Sequence, residues 1–419
     1  MTVTAIDPRV VAPLPSGRGR WRLVAYRRQF STALPVPVAQ LDSARGRRLE
    51  QKINAPAQFT FTLDGHDPAA GLLTELATDI VAFRWHEPYG RDVAMFRGIL
   101  DHSEDQLSEQ SAVVTFTAHD YFAMLGRRVT TPQTLTYTQY DQDSLVGALL
   151  SQAIAGTSTS GAPFTPGNFL PLSAVRRNPD GSNRNTLSGQ LRDRSYAAGS
   201  VIGNQIDDLA HVINGFDYNV APAGPAAAVD TLQIFYPAQG VARSDVALVY
   251  GANVSALTRT VSSSDYANYV RVIGNKGSAD PAAPQLFSEQ WNTDANNVTV
   301  NPVGLWMTVE NASDVTIQST LDDKASGDLA AQGLLTPSYT LTLRPGFYSL
   351  GFVNMGDTVP LHVNEGRLAV DTTIRIVGID YSIGDDGNED VQLTVGRPPQ
   401  TLAKLLRASD RDIDALARR

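Results

Sequence analysis

The stretch HVINGFDYNV, residues 211–220, closes an amphipathic helix and opens a strand. Upstream of it, apolar residues recur at helical spacing and share one face. They are Val201, Ile202, Ile206, Leu209, Ala210 and Ile213. Ser200 is placed to cap the start of this helix, and Gly215 to end it in a left-handed turn. The stretch therefore predicts a helix packed on a core through a single face.

Downstream of Gly215 the pattern changes from a helical period to a period of two. Phe216, Tyr218 and Val220 alternate with other residues, which predicts a half-buried strand. Strand-like segments lie on both sides of this junction, near the middle of the chain. We interpret it as a pivot between two β-rich halves.

The composition is that of a globular protein with more than one domain. A chain of 419 residues predicts two to four domains, and 42% apolar with 18% charged residues is ordinary for a soluble protein. No apolar run is long enough to predict a membrane span, and the first residues lack the pattern of a signal peptide. Cysteine is absent, which excludes disulfides, thiol nucleophiles and cysteine metal sites and suits a reducing cytosol.

The net charge of −9 is unevenly distributed. Residues 1–52 hold ten Lys/Arg against three Asp/Glu, so the rest of the chain carries the acidic excess. An acidic body disfavours general nucleic-acid binding. The basic beginning has two interpretations: a surface for an acidic partner or phosphate, or a solvated arm.

Short alternating segments separated by turn residues predict many strands, as in an antiparallel barrel or sandwich. In the first half they are 21–26, 36–41, 59–63, 81–85, 93–100 and 112–119, with a short helix at 71–78. In the second half they are 232–236, 246–250, 254–261, 269–273, 304–309, 339–343, 358–363, 372–383 and 391–395. A register change is predicted near Gly378, because the apolar residues before it and after it occupy positions of opposite parity.

Three further helices are predicted from apolar residues at helical spacing. Asp143 or Ser144 caps the first, which carries Leu145, Val146, Leu149, Leu150, Ala153 and Ile154. Ser313 caps the second, which runs to about residue 335 and places Ile317, Leu321 and Ala325 four residues apart. A terminal helix follows from Thr401.

Residues 156–199 are rich in Gly, Ser, Asn and Pro and show no sustained periodicity. We expect an irregular excursion that contacts a neighbouring chain or partner. Its arginines, at positions 176, 177, 184, 192 and 194, leave two interpretations open: a binding loop and a plain surface excursion.

Motifs that carry chemistry are largely missing. The sequence contains no GxxxxGK, GxGxxG, HExxH or GxSxG pattern. His119 with Asp120 is a conceivable base and orienting acid, but His119 more simply ends a strand. The acidic group Asp385, Asp386, Glu389 and Asp390 is either a cation site or a solvated hairpin turn. The four tryptophans, at positions 21, 85, 291 and 306, are expected to pack in the core. We therefore assign no catalytic, cofactor-binding or metal residues and no cofactor.

Several segments in order resemble the minor tail proteins, or baseplate hub proteins, of long-tailed actinobacterial phages. The segments are WRLVAYRRQ (21–29), FRGILDH (96–102), VVTFTAHDYFAML (113–125), IDDLAHVINGFDYNV (206–220), DYANYVRVIGN (265–275), SDVTIQ (313–318) with its following helix, and IRIVGIDYSIGDDGNEDVQLTVGRPP (374–399). The resemblance covers most of residues 21–400. It extends to the first part of tail-associated lysins and to the base of injection-system spike proteins.

The resemblance implies an α+β, mainly β fold with two antiparallel β-barrel-like tube domains and helical or mixed insertions. The implied organisation is an N-terminal arm (1–20), a first barrel (21–140), an insertion (141–254), a second barrel (255–400) interrupted by a helix-containing insertion (285–336), and a C-terminal helix (401–419).

It also implies a structural virion protein at the tail tip, assembled in the host cytoplasm as a homotrimeric ring. Its neighbours would be distal tail or tail tube proteins on one side and tail-tip fibre or spike proteins on the other, with DNA only as passing cargo and no membrane-spanning segment. The alternative is a tail-associated hydrolase or glycan-binding protein that acts on the host envelope.

Overall fold

The computed structural model describes residues 21–28, 34–86, 90–155, 170–212, 214–224, 227–264, 266–274, 284–292, 303–312, 315, 318–335, 337–345, 351–385 and 388–396. Strands make up 50% of the described residues and helices 14%, which confirms the expected mainly β class. The predicted N-terminal arm and C-terminal helix lie outside the described residues.

The strands in the first half are β1 (Trp21–Arg27), β2 (Val36–Gln40), β3 (Arg45–Lys52), β4 (Gln58–Asp64), β5 (Thr78–His86), β6 (Arg91–Leu107), β7 (Ala112–His119), β8 (Leu135–Asp141), β9 (Leu172–Arg177) and β10 (Leu191–Tyr196). Those in the second half are β11 (Asp217–Ala221), β12 (Asp230–Phe235), β13 (Leu248–Val249), β14 (Val254–Thr260), β15 (Tyr269–Gly274), β16 (Phe287–Trp291), β17 (Met307–Ala312), β18 (Ser338–Leu343), β19 (Thr358–Glu365), β20 (Leu368–Ile383) and β21 (Glu389–Gly396). The helices are α1 (Phe122–Leu125), α2 (Gln142–Ala155), α3 (Ile202–Ala210) and α4 (Gln318–Gln332).

The chain forms two compact units, 1–257 with 340–395 and 258–339 with 396–419. The main sheet has thirteen strands, with the path β14-β18-β21-β20-β3-β4-β7-β6-β5-β1-β2. β19 joins it by pairing with β20 and with β13. Across the described strands this path is open, because its two ends do not pair, so closure into barrels is not confirmed.

Side chains hold the main sheet in a curled shape. β1 and β20 lie six places apart in the strand order, yet the rings of Trp21 and Tyr381 meet at 5.5 Å. Inside the curl, the ring of Phe59 lies 5.6 Å from that of Phe96. Apolar residues on one face of each strand therefore bring distant strands together without backbone pairing.

The predicted register change at Gly378 is confirmed. Ile376 faces Val395 whereas Gly378 faces Thr394, so the pairing of β20 with β21 shifts between them. Gly378 does not adopt a left-handed backbone. A Cβ there would lie 3.2 Å from the carbonyl oxygen of Gln51 on β3, so close approach of a neighbouring strand is what favours glycine.

The elements on either side of residues 211–215, α3 and β11, contribute to a core of the first unit. α3 and the residues after it pack with α1, α2 and a three-stranded sheet in the order β11-β12-β9. The apolar members of this core on α3 and β11 include Ile202, Ile206, Leu209, Phe216 and Tyr218. The predicted helix, the buried Ile202, Ile206, Leu209 and Ala210 on its face and the following strand are therefore confirmed, while Ile213 lies outside the described residues.

Both predicted ends of α3 are wrong in detail. Val201 is the N-cap residue, and the Ser200 hydroxyl instead donates to the carbonyl oxygen of Ala197 at 2.7 Å. The left-handed residue is Asn214, with φ of 55°, rather than Gly215. Glycine fits at 215 because a Cβ there would collide with the carbonyl oxygen of Ala210.

Part of the predicted irregular excursion is regular. β9 pairs in parallel with β12, and β10 pairs antiparallel with β8, so the expectation is wrong at both strands, while 156–169 lie outside the described residues. These strands depend on partners distant in sequence, which a search for local periodicity cannot detect. α2 also begins earlier than predicted, with the carboxylate of Asp141 accepting from the backbone N–H of Asp143 at 2.9 Å.

The described residues of the second unit form one small sheet and one helix. Its strands follow the order β16-β15-β17, antiparallel for β15 with β16 and parallel for β15 with β17. Val270 and Val272 point to α4, where the predicted Leu321 and Ala325 are fully buried. Ser313 and Ile317 lie outside the described residues. The sheet therefore uses one face for its own core.

Several elements differ from the prediction. β3, β8 and β16 were not expected, because their sequences are largely polar or lack a clean alternation. The helix expected at 71–78 is only a single 3-10 turn at Ala70–Leu72, after which β5 begins at Thr78.

Candidate functional site

His119 and Asp120, the conceivable base and orienting acid, have different hydrogen-bond partners. His119 ends β7, as the simpler interpretation predicted, and its Nδ1 lies 2.9 Å from the carboxylate of Asp101. The Asp120 carboxylate instead accepts from the backbone N–H groups of Ala57 at 2.7 Å and Phe122 at 2.9 Å. Burial raises the pKa of Asp120 to about 7. Asp120 therefore fastens the start of α1 to the turn before β4.

The acidic turn is divided between different contacts. Glu389 points inward, while the Asp385 carboxylate lies 3.9 Å from Nε of Arg45. Asp386 is outside the described residues. Within the ranges that the structure describes, no three His, Asp or Glu side chains are close enough to hold a metal ion. In the same ranges, no helix has the length and apolarity that crossing a membrane requires.

Glu389 forms a buried side-chain contact between strands that are not neighbours in the main sheet. Its carboxylate accepts from Nε of Arg84 at 2.9 Å and from Nε1 of Trp21 at 2.7 Å. The side chains of Arg84 and Glu389 are only 1% and 7% exposed. β21 is thereby joined to β5 and β1 through side chains. Nη2 of Arg84 donates to the other oxygen of the same carboxylate, and such a two-pronged contact fixes the orientation of the two side chains.

A second buried ion cluster joins the main sheet to β12. Nη1 of Arg97 lies 3.3 Å from Asp230, and Nη2 lies 3.7 Å from Asp79. The Tyr121 hydroxyl donates to Asp79 at 2.6 Å. Burial raises the pKa of Asp230 to about 6, against the opposing effect of Arg97. Burial also raises the pKa of Asp79, against the opposing effects of Arg28, Tyr121 and Arg97. Arg97 bridges Asp79 and Asp230, so the cluster holds the two sheets together.

The arginines of 170–199 bind their own chain. Nη1 of Arg184 donates to the carboxylate of Asp143 at 2.8 Å, and Nη2 of Arg192 donates to the side-chain oxygen of Gln142 at 3.0 Å. Asp143, predicted as a helix cap, is therefore an ion-pair partner. These contacts hold the segment against the start of α2.

The small sheet of the second unit exposes apolar side chains on the side opposite α4. We call the outward side chains of β16, β15 and β17 the outer face. It consists of Phe287, Glu289 and Trp291, then Tyr269, Arg271 and Ile273, then Met307, Val309 and Asn311. Phe287, Trp291, Met307 and Val309 are each about half exposed, at 48–54%. An exposed apolar surface of this kind is typical of an interaction site.

The outer face is arranged in rows across the strands. Tyr269 pairs with Trp291 and Met307 in register, and the Tyr269 and Trp291 rings are stacked with centroids 6.2 Å apart. The next row pairs Arg271 with Glu289, and Nε of Arg271 donates to the Glu289 carboxylate at 2.6 Å. One ion pair thus lies between two apolar rows.

Two of the tryptophans expected in the core are on the surface. Trp21 is buried and Trp85 is half-buried, but Trp291 and Trp306 are 48% and 44% exposed. A signal was available in β15, where Tyr269, Val270, Val272 and Ile273 are apolar at both parities. Such a run predicts a strand with two apolar faces. Only one of them is covered by α4.

The fold resembles solved structures over nearly its whole length. A tail protein from Neisseria meningitidis MC58 has a TM-score of 0.55 at 12% identity, covering 90% of this chain and 97% of that one. The 43 kDa tail protein of prophage MuSo2 from Shewanella oneidensis has a TM-score of 0.54 at 10% identity, with 91% and 98% covered. A prophage tail protein from Listeria monocytogenes EGD-e has a TM-score of 0.50 at 9% identity, with 94% and 99% covered.

No protein-family model and no curated protein sequence matches the chain. At identities of 9–12% the structural likeness concerns the fold alone.

Proposed function

We propose that this chain is a structural component of a phage tail. The observation that supports the proposal is that both chains are covered almost completely in each comparison with a tail protein, so the likeness extends over the whole fold rather than one domain. The proposal places the protein in the virion, as a part of the tail that is assembled in the host cytoplasm.

The finer proposal is a hub at the tail tip of a long-tailed phage. Three chains would close into a ring by repeating one head-to-tail contact. With two tube-like domains in each chain, such a ring has pseudo-sixfold symmetry. It would adapt a sixfold tail tube or distal tail ring to a threefold tip that carries a fibre or spike, and DNA would pass through its channel.

For the tube-like domains we keep the division 21–140 and 255–400, with 141–254 and 285–336 as insertions. The main sheet contains strands of both ranges, and β1 and β5 approach β20 and β21 through Trp21, Tyr381, Arg84 and Glu389, so the two proposed domains would be joined rather than independent. In a ring, neighbouring copies would cover strand edges that a single open sheet leaves unpaired.

Copy number in intact tails tests the hub proposal. Quantitative mass spectrometry of purified tails should give three copies per tip, and cryo-electron microscopy should show them around the channel. Six copies would contradict the hub and indicate a distal tail ring. A much larger number would indicate a tube subunit.

We also propose that the protein works without catalysis. Groups that could have served chemistry are engaged in structural contacts, such as Glu389 with Arg84 and Asp120 with backbone N–H groups. Purified protein should therefore leave host cell walls intact in a zymogram. Clearing that disappears after one acid-to-amide change would overturn this proposal.

A further inference from the structure

The outer face of the second unit has the composition of a protein interface rather than of ordinary surface. Tyrosine, tryptophan, phenylalanine, methionine and arginine, which it carries, are the residues enriched at such interfaces. Its single arginine and single glutamate neutralise each other, although the chain has a net charge of −9. A neutral apolar surface requires a neutral apolar partner.

The register of β15 and β16 makes this face complementary to itself. The outward pairs are Tyr269 with Trp291, Arg271 with Glu289, and Ile273 with Phe287. Consider a two-fold axis parallel to the strands and midway between β15 and β16, above the face. It places β15 of one copy over β16 of the other at the same height. Arg271 then faces the other copy's Glu289, and the aromatic row faces its equivalent.

We propose that the outer face binds the outer face of a second copy of this chain about such a two-fold axis. Two sheets packed face to face lie about 10 Å apart with their strands roughly aligned, which this axis allows. The ion pair of each copy can exchange partners with the other, so no charge is left unpaired between the sheets.

The alternative two-fold axis, perpendicular to the strands, is disfavoured by charge. With that axis at the height of Arg271, the guanidinium groups of the two copies face each other. Like charges placed opposite each other in an interface are costly. The arrangement of charges therefore selects the axis parallel to the strands.

This contact differs from those of the proposed ring, because a two-fold axis joins two chains rather than three. It goes beyond the proposed function and is tested separately. Counting copies in tails tests the ring, whereas association of the purified chain in solution tests the outer face.

The decisive experiment uses two charge reversals, Arg271→Glu and Glu289→Arg. Sedimentation velocity of the full chain should show a monomer–dimer equilibrium for the wild type. Each single variant should dimerise at least about tenfold more weakly, because like charges then face each other twice. An equimolar mixture of the two variants should regain dimer, since all facing charges are then opposite.

A matched control is Asp323→Arg, a charge reversal at an exposed position of α4, on the side of the sheet opposite the outer face. It should dimerise like the wild type. Trp291→Ala should weaken the dimer more than Met307→Ala, because β16 lies at the centre of the contact and β17 at its rim. Circular dichroism should show that every variant is folded.

Three results would overturn the inference. The first is a wild-type protein that stays monomeric at all soluble concentrations. The second is dimerisation that the single reversals leave unchanged, or that their mixture does not restore. The third is binding of a host-wall polysaccharide that Trp291→Ala removes while self-association is unaffected, which would indicate a glycan surface.

Discussion

Two arginine–glutamate pairs in this protein have the same chemistry and opposite surroundings. Arg84 with Glu389 links β5 to β21, and Arg271 with Glu289 links β15 to β16. A tryptophan accompanies each pair: Trp21 donates to Glu389, and Trp291 lies on the outer face near Glu289. The side chains of the first pair are 1% and 7% exposed, and those of the second are 42% and 26% exposed.

Because the two ion pairs differ in burial, they contribute differently to the stability of the fold. A buried charge that loses its partner has no water to replace it, so the first pair holds the curl of the sheet in one arrangement. The exposed pair has water as an alternative partner and contributes little to folding. Its charges are consequently available for exchange with another chain.

The largest effect is expected from Glu389→Ala. It leaves the guanidinium of Arg84 buried without its carboxylate, which costs about 3 to 5 kcal/mol in the free energy of unfolding. Urea unfolding followed by circular dichroism measures this loss. A loss below about 1 kcal/mol would show that water reaches Arg84 and that the two pairs are alike.

The double variant Arg84→Met with Glu389→Leu sharpens the same comparison. Replacing both buried charges by apolar groups removes the desolvation cost together with the attraction, so the unfolding free energy should lie within about 2 kcal/mol of the wild-type value. Urea titration of the single and double variants side by side measures the recovery. No recovery would mean that the geometry of the pair, rather than its charge balance, stabilises the curl.

Asp120 extends the comparison to a buried carboxylate without a cationic partner. Burial raises its pKa to about 7, above its ordinary value of 3.8, so its contribution to stability is present at low pH and is lost as pH rises through 7. Between pH 5.5 and 8 this loss amounts to about 2 kcal/mol. Urea titrations at both pH values should show it in the wild type, with a correspondingly smaller loss in Asp120→Asn. Equal losses in the two proteins would show that the raised pKa of Asp120 does not cause the loss of stability.

The smallest effect is expected from Arg271→Ala. Its side chain is 42% exposed, so the thermal unfolding midpoint should not change measurably. Differential scanning calorimetry at concentrations where the chain is monomeric checks this expectation. A clear fall in the midpoint would show that the exposed pair, too, is part of the folded core.

Elements with strong local patterns could be predicted from the sequence. β4 and β7 follow alternations such as Phe59, Phe61 and Leu63, and all three residues are buried. The parity change around Gly378 also predicted the register shift of β20 correctly. In each case a single buried face determines which residues must point inward.

Elements that depend on distant partners could not be predicted in this way. β3 has the sequence RGRRLEQK and only Leu49 fully buried, yet it lies between β4 and β20 near the middle of the main sheet. The helix caps at Ser200 and Asp143 were wrong because both side chains have other partners: the Ser200 hydroxyl donates to Ala197 in the turn before the helix, and Asp143 pairs with the distant Arg184. The outer face was missed because apolar residues were assumed to be buried, although a strand with two apolar faces was readable in β15.

The position of β3 has a consequence for how the protein is made. Arg47, on β3, donates to the carbonyl oxygen of Gly384, which lies 337 residues further along the chain. At about 5 to 20 residues per second, a ribosome needs on the order of 20 to 70 s to supply that partner. During this time one edge of β3 awaits its neighbour and could pair with other nascent chains. Its arginines keep that edge charged and discourage such pairing until the last strands emerge.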